Sequence, residues 1–340
     1  MAWASGCWSG SDLGRLVGTP PNPPIPLTIH PTGPSRGPFP IRSTPVRLAL
    51  ISDIHSNSEA LRAVLSEIAE AKVDEIVCLG DIIGYGPDPL NCIDLVQEHC
   101  SLALLGNHDF ACRTQPVNFN QVAREAALWT RFKLDTAWPD DAARERRIRY
   151  IDHLPVRIHH PRDSRLLCVH GSSRCATNEY VFPDDLQDAM KFDRLFERFD
   201  NICIEGHTHM PVVFEQDLRL DEEGTEHTSY QRFLGYREEM RSPGPDGTGT
   251  IRGAANVTLR LSEGKKYIVN PGSVGQPRDR DSWACWAIME LVEDQDPKVS
   301  FRRTYYDWHR VLEMIRRTEH DDNCPYQLDE FLGTRLERGF

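Results

Sequence analysis

Five short segments of this 340-residue chain carry side chains suited to holding divalent cations. They are Asp53-Ile54-His55, Gly80-Asp81, Gly106-Asn107-His108-Asp109, His170-Gly171 and Gly206-His207-Thr208-His209. Carboxylate and imidazole in combination suit borderline ions such as Mn, Fe or Zn better than Ca. The i, i+2 spacing of Asp53/His55 and His207/His209 predicts extended segments, where alternate side chains point the same way and reach one ion. The adjacent glycines allow a tight backbone path and close approach. Each residue also has an ordinary structural reading. Asp53 suits a helix cap or turn, Asp81 a turn, Asn107 an Asx-turn, and His108 with Asp109 a surface hydrogen-bonded pair. His55 suits the surface and His170 a core position. What sets the group apart is that every member falls at the end of a strand pattern.

Those strand patterns are short apolar runs. Residues 46–51, 74–79, 101–105, 165–169 and 201–204 each read as a strand that halts at one of the five segments. Helical spacing follows the first, with Leu61, Val64, Leu65 and Ile68 on one face and Ser58 as a plausible N-cap. Further helical patterns lie near 120–134, 140–152 and 184–198. This alternation predicts an α/β fold, two sheets packed as a sandwich and flanked by helices, with strand ends meeting at one edge. Strands are expected again before Asn270-Pro271-Gly272-Ser273 and near 284–291 and 298–305. Helices near 307–318 and 326–338 form a C-terminal extension, 307–340. Residues 217–262 read as a polar insertion in a core domain of 46–306. Residues 1–45, rich in Pro, Gly and Ser, read as a disordered tail.

Composition bounds the partners. Lys plus Arg number 39 against 51 Asp plus Glu, a formal charge of −12, with no dense basic run, so a nucleic-acid partner is not expected. Bound metal is then the means of attracting an anion. The ten cysteines form no CxxC pair, which argues against a thiolate zinc site. Several lie in apolar strands, and reduced thiols are expected. No run approaches a membrane span and no secretory leader is evident, so a soluble cytoplasmic protein is expected.

The five segments, in this order, make the chain similar to the calcineurin-like metallophosphoesterase superfamily over roughly Val46 to Asp281. The runs Asp53-Ile54-His55-Ser56-Asn57, Gly80 to Pro87 and Asn270 to Asp279 resemble its compact bacterial and archaeal phosphodiesterase-like branch. The resemblance implies a four-layer α/β/β/α fold and hydrolysis of a phosphodiester or phosphomonoester. It assigns Asp53, His55 and His209 to one divalent ion, and Asn107, His170 and His207 to a second. Asp81 would bridge them. A bridging hydroxide would be the nucleophile, and His108 would assist the leaving group with Asp109 fixing its tautomer and raising its pKa. Mn, Fe, Zn and Ni are all candidate ions. Formal charge at such a centre sums to +1, enough to draw a phosphoester.

Arg278 is a candidate substrate contact, pairing with phosphate oxygens, as is Tyr85. A structural ion pair of Arg278 with Asp279 or Asp281 is the alternative. His153, His159 and His160 read as solvated, and Trp283 and Trp286 as core. Metal affinity should fall toward pH ~6 as imidazoles protonate. Two other functions stay in view. One is a catalytically silent scaffold using 217–262 or the C-terminal helices to dock protein partners. The other is a single-strand nuclease, against which the acidic charge argues.

Overall fold

The computed structural model describes residues 45–136, 141–220, 223, 225–235, 257–292, 295–318 and 328–339. The expected N-terminal tail and residues 236–256 of the expected insertion lie outside the described residues.

The chain runs β1 (Val46–Ile51), α1 (Ser58–Ala71), β2 (Glu75–Cys78), α2 (Pro89–His99), β3 (Leu102–Ala103), α3 (Asn107–Arg113), α4 (Gln121–Thr136) and α5 (Asp141–Asp152). It continues through β4 (Arg157–His160), β5 (Asp163–Val169), a 3-10 turn at Pro183–Gln187, α6 (Ala189–Phe196) and β6 (Ile202–Ile204). The remainder is β7 (Val212–Leu220), β8 (Glu226–Leu234), β9 (Thr258–Arg260), β10 (Lys266–Asn270), β11 (Ala284–Leu291), β12 (Lys298–Thr304), α7 (Trp308–Thr318) and α8 (Leu328–Arg338).

These strands make two six-stranded sheets, ordered β3-β2-β1-β11-β12-β9 and β4-β5-β6-β10-β7-β8. Strand alternation explains the layering. In β1, Leu48 and Leu50 face the other sheet, packing with Leu166, Cys168, Ile204 and Val269. Ala49 and Ile51 face the opposite way, against α1 through Leu61, Val64 and Ile68. In β5 the same alternation sends Leu167 and Val169 outward to Phe192, Leu195 and Phe196 of α6. Strands buried on both faces must be apolar throughout, which is why these runs read so clearly. The result is the expected four layers, helices outside two packed sheets.

One topological feature positions the site. In the first sheet β3, β2 and β1 are mutually parallel, and in the second β5, β6 and β10 are. The C-terminal ends of each set lie side by side, and Val274 N donating to Ser52 O joins the two sets at one edge.

The elements differ from expectation in several places. The cap of α1 is Asn57, whose side chain accepts from Ala60 N at 3.1 Å, one residue before the expected Ser58. The helical pattern at 184–198 is broken at Asp188, which ends the 3-10 turn and caps α6 by accepting from Lys191 N. Residues 217–220, 226–234 and 258–260, expected in a polar insertion, are strand. Arg219 and Lys265 pair there with the buried Asp217, and β8 is the edge strand of its sheet. His160, read as solvated, is 2% exposed and sits 3.3 Å from Glu75. Trp286 is buried, donating to Thr304 Oγ1 at 2.9 Å. Cys78, Cys92, Cys100, Cys112, Cys168, Cys203 and Cys285 are free thiols. Among the described residues, no helix is long and apolar enough to cross a membrane.

Candidate metal centre

Backbone hydrogen bonds stitch the strand-end loops together before any side chain is considered. Asp53 N donates to Gly80 O, His55 N to Asp81 O, and Gly206 N to His170 O. Val274 N and Gly275 N reach back to Ser52 O and Asp53 O, tying the loop after β10 to the loop after β1. Glycine is required where these loops touch: a Cβ on Gly106 would collide with the Asp81 backbone and carboxylate.

The expected extended geometry of the i, i+2 pairs is not found. Asp53 (φ 53°), His55 (φ 48°), Asp81 (φ 53°), His207 (φ 63°) and His209 (φ 63°) all have left-handed backbone. Side chains converge through tight turns rather than strand pleating. Non-glycine residues seldom adopt this region, and its concentration at one site marks a built functional centre.

All seven residues expected to ligate metal come together and are buried. Asp53, His55 and His209 form one group and Asp81, His170 and His207 another, each with donor atoms within 4.8 Å of one another. In the first, His209 Nε2 lies 3.1 Å from His55 Nε2 and 3.2 Å from Asp53 Oδ1. Asn107 Oδ1 joins the second, 3.1 Å from His170 Nε2. Asp81 Oδ2 lies 3.6 Å from His55 Nε2 and 3.4 Å from His170 Nε2, so it stands between the groups.

The protons are arranged for coordination. His209 Nδ1 donates to Gln276 O at 2.6 Å and His170 Nδ1 to Leu79 O at 2.9 Å, so each turns Nε2 inward as the nitrogen available to ligate. Each aspartate is held by one oxygen: Asp53 Oδ2 accepts from His207 N at 3.0 Å, and Asp81 Oδ1 from His108 N at 2.8 Å. Their other oxygens, with His207 Nε2, are buried without a hydrogen-bond partner. Buried unsatisfied polar atoms are costly, and a cluster of them aimed at one point fits divalent cations. Burial pushes Asp53 and Asp81 up, but the histidines beside them win, and both are held well below the carboxylate range. Burial drives His55 and His207 well below the usual imidazole value. Burial also lowers His170, yet the Asp81 carboxylate outweighs it and carries His170 up to about 9.

His108 sits over this cluster, its ring 4.8 Å from that of His55, 4.4 Å from Tyr85 and 4.6 Å from Phe119. Burial pulls it down to about 4. The expected pairing with Asp109 is not found. Asp109 accepts instead from the backbone of Ile83 and Gly106, both at 3.0 Å, and so braces the loops on either side of the site. Burial and the nearby Asp81 raise its pKa to about 7.

Arg278 does not pair with Asp279 or Asp281. Those carboxylates surround Arg303. Arg278 Nη2 donates to Gln276 Oε1 at 3.1 Å, and its Nε is buried without a partner. Two neighbours had no signal in the sequence: Tyr180, stacked on His207 at 3.8 Å, and Arg335 of α8, which donates to Gln276 Oε1 at 2.8 Å.

The family model for calcineurin-like phosphoesterases matches residues 46–236. Over 297 residues the chain is 30% identical to an uncharacterized protein of Methanocaldococcus jannaschii, covering 86% of this chain and 98% of that protein. It is similar to the crystal structure of a metallophosphoesterase from Sphaerobacter thermophilus, with 32% identity, a TM-score of 0.60, and 87% of this chain and 100% of that one covered. It shares its fold with a hypothetical protein from Pyrococcus horikoshii, at 17% identity and a TM-score of 0.57, over 84% of this chain and 97% of the other.

Proposed function

Because this chain belongs to the calcineurin-like phosphoesterase family and is a phosphoric ester hydrolase, we propose that it hydrolyses small phosphomonoesters or phosphodiesters at a centre of two divalent ions. Asp53, His55 and His209 would hold one ion, Asn107, His170 and His207 the other, and Asp81 both. The observation that carries this reading is Asp81 Oδ2, buried without a hydrogen-bond partner and set between the two groups. When bound, two such ions would supply a hydroxide nucleophile and positive charge for the phosphoryl oxygens.

The chain's own residues do the rest. Four backbone-locked or buried imidazoles present lone pairs without adding negative charge, so the site keeps its attraction for an anion. His108 is neutral in the free site, where burial outweighs the Asp81 charge. A phosphoryl group beside it adds negative charge, which raises the affinity of the imidazole for a proton and suits it to protonate a leaving alkoxide. Asp109 keeps the Gly106 and Ile83 loops in place and is a positioning residue. Arg278, whose Nε is buried without a hydrogen-bond partner, would donate to a phosphoryl oxygen.

The test is hydrolysis of p-nitrophenyl phosphate and bis(p-nitrophenyl) phosphate by protein loaded with Mn2+, with metal content measured on the same sample. The expected result is turnover of at least one ester with close to two ions per chain. No turnover of either ester or of a nucleotide panel by the fully loaded protein would overturn the proposal.

A further inference from the structure

The C-terminal helix α8 brings a second guanidinium to the mouth of the metal centre. Its residues Leu332 and Leu336 are buried in the core cluster that also holds α1 and α7, and Gly339 O accepts from Arg280 N at 2.8 Å. The helix is therefore fixed beside the loop that carries Gln276 and Arg278. From it Phe331 stacks on Tyr85 at 5.9 Å, and Tyr85 in turn packs on His108 and His55. Arg335 lies 4.1 Å over the Phe331 ring and 5.6 Å over that of Tyr85.

Arg335 and Arg278 converge on one acceptor, Gln276 Oε1, at 2.8 and 3.1 Å. Two like charges sharing a neutral amide oxygen are poorly compensated. Among the described residues no ion pair joins either to a carboxylate, and the acids nearest Arg278 in sequence, Asp279 and Asp281, are taken by Arg303. Such a pair is complementary to a dianionic group that accepts from both forks. The proposed ligand Asp53 and its neighbours already account for the phosphoryl group that reacts.

We infer that Arg335 and Arg278 form an anion clamp for a second phosphoryl group, so that the substrate class is phosphate esters that carry a second phosphoryl group. This rests on the phosphoesterase reading for the position of the first phosphoryl group. Gln276 Oε1 occupies the clamp in the free protein and is displaced by a phosphate oxygen on binding. Its backbone carbonyl stays on His209.

The experiment compares methylphosphonate with methylenediphosphonate, one phosphoryl group against two and neither hydrolysable, by calorimetric titration of the whole chain at fixed free Mn2+. Wild type is expected to bind the diphosphonate at least tenfold more tightly. In R335Q that preference should fall to within about threefold of unity, while R335K, which keeps charge without the fork, should fall between. Melting temperatures of both variants check folding, and R335K carries the test if R335Q does not fold. A wild type without preference, or an R335Q or R335K that weakens both probes equally or neither, would overturn the inference. A clamp that behaves as expected in a protein that hydrolyses no ester would overturn the proposed function and leave the subsite standing.

Discussion

The backbone N–H of His108 holds Asp81 by Oδ1 at 2.8 Å, so the residue proposed to protonate the leaving group also orients the carboxylate proposed to bridge the ions. The two roles use different atoms of His108. Main chain serves the metal site and side chain serves the reaction.

Substitution separates them. H108A keeps the main-chain donor, so two ions per chain should remain while kcat falls by about 10²–10⁴, the usual contribution of a general acid. D81A should lose at least one ion and essentially all activity. Metal content by elemental analysis beside kcat on p-nitrophenyl phosphate separates the cases. Loss of metal in H108A would contradict the division of labour.

Chelation should destabilise the fold as well as stop turnover. Ions that bind only the folded state contribute about 2.7 kcal/mol when free metal is a hundredfold above Kd. Their removal also returns buried Asp53 Oδ1, Asp81 Oδ2 and His207 Nε2 to an unsatisfied state. The melting temperature should drop by several degrees with EDTA and recover with Mn2+. An unchanged melting temperature at full metal loss would argue against a cation site here.

Metal binding should release a proton from His170. In the free protein its pKa stands at about 9, above the ordinary imidazole value, so at pH 7 it is charged and must deprotonate to ligate. A raised folded-state pKa stabilises the metal-free chain below the ordinary value near 6.5, and that contribution disappears as pH rises through about 9. Metal affinity should therefore climb with pH up to about 9 and then level. That ceiling lies above the pH ~6 suggested by the histidine content alone. Titration calorimetry at pH 7 and 9.5, in buffers of different ionisation enthalpy, reads the proton directly. Equal proton release at both values would refute the assignment.

Arg303 is enclosed by Asp279 and Asp281, with its side chain 4% exposed and theirs 1%. Removing one partner from such a group leaves uncompensated buried charge, a cost of about 3–5 kcal/mol. R303M should shift the urea midpoint accordingly and loosen the Gln276–Asp281 loop. A shift under about 1 kcal/mol would mean that solvent reaches the two carboxylates.

Much of this was legible in the chain, and the exceptions have physical causes. Strands buried on both faces are apolar without interruption, so β1, β2, β5 and β6 stood out, and the metal-capable groups stood out because they interrupt those runs. Helix α2 was passed over although Pro89, Cys92, Ile93 and Val96 follow helical spacing and Pro89 opens the helix. The outer part of the β7–β8 hairpin, from residue 217, falls in the polar stretch 217–262, and β8 is an edge strand that carries polar residues. Asp109 was misassigned because adjacency to His108 suggested a pair, while α3 turns its carboxylate back to the Gly106 backbone. Arg335 had no local pattern at all. Only packing of α8 over Tyr85 brings it to the site.

The left-handed turns at Asp53, His55, Asp81, His207 and His209 restrict what can replace these residues. Aspartate, asparagine and histidine tolerate that backbone far better than branched or bulky side chains do. Exchanging one donor for another to retune the centre, such as His55→Val to empty a position or His207→Thr to harden it, would disturb the main-chain path together with the coordination. Ion preference is thus written into the torsion angles of the loops, and shifting it by engineering would require rebuilding the loop before changing the ligand.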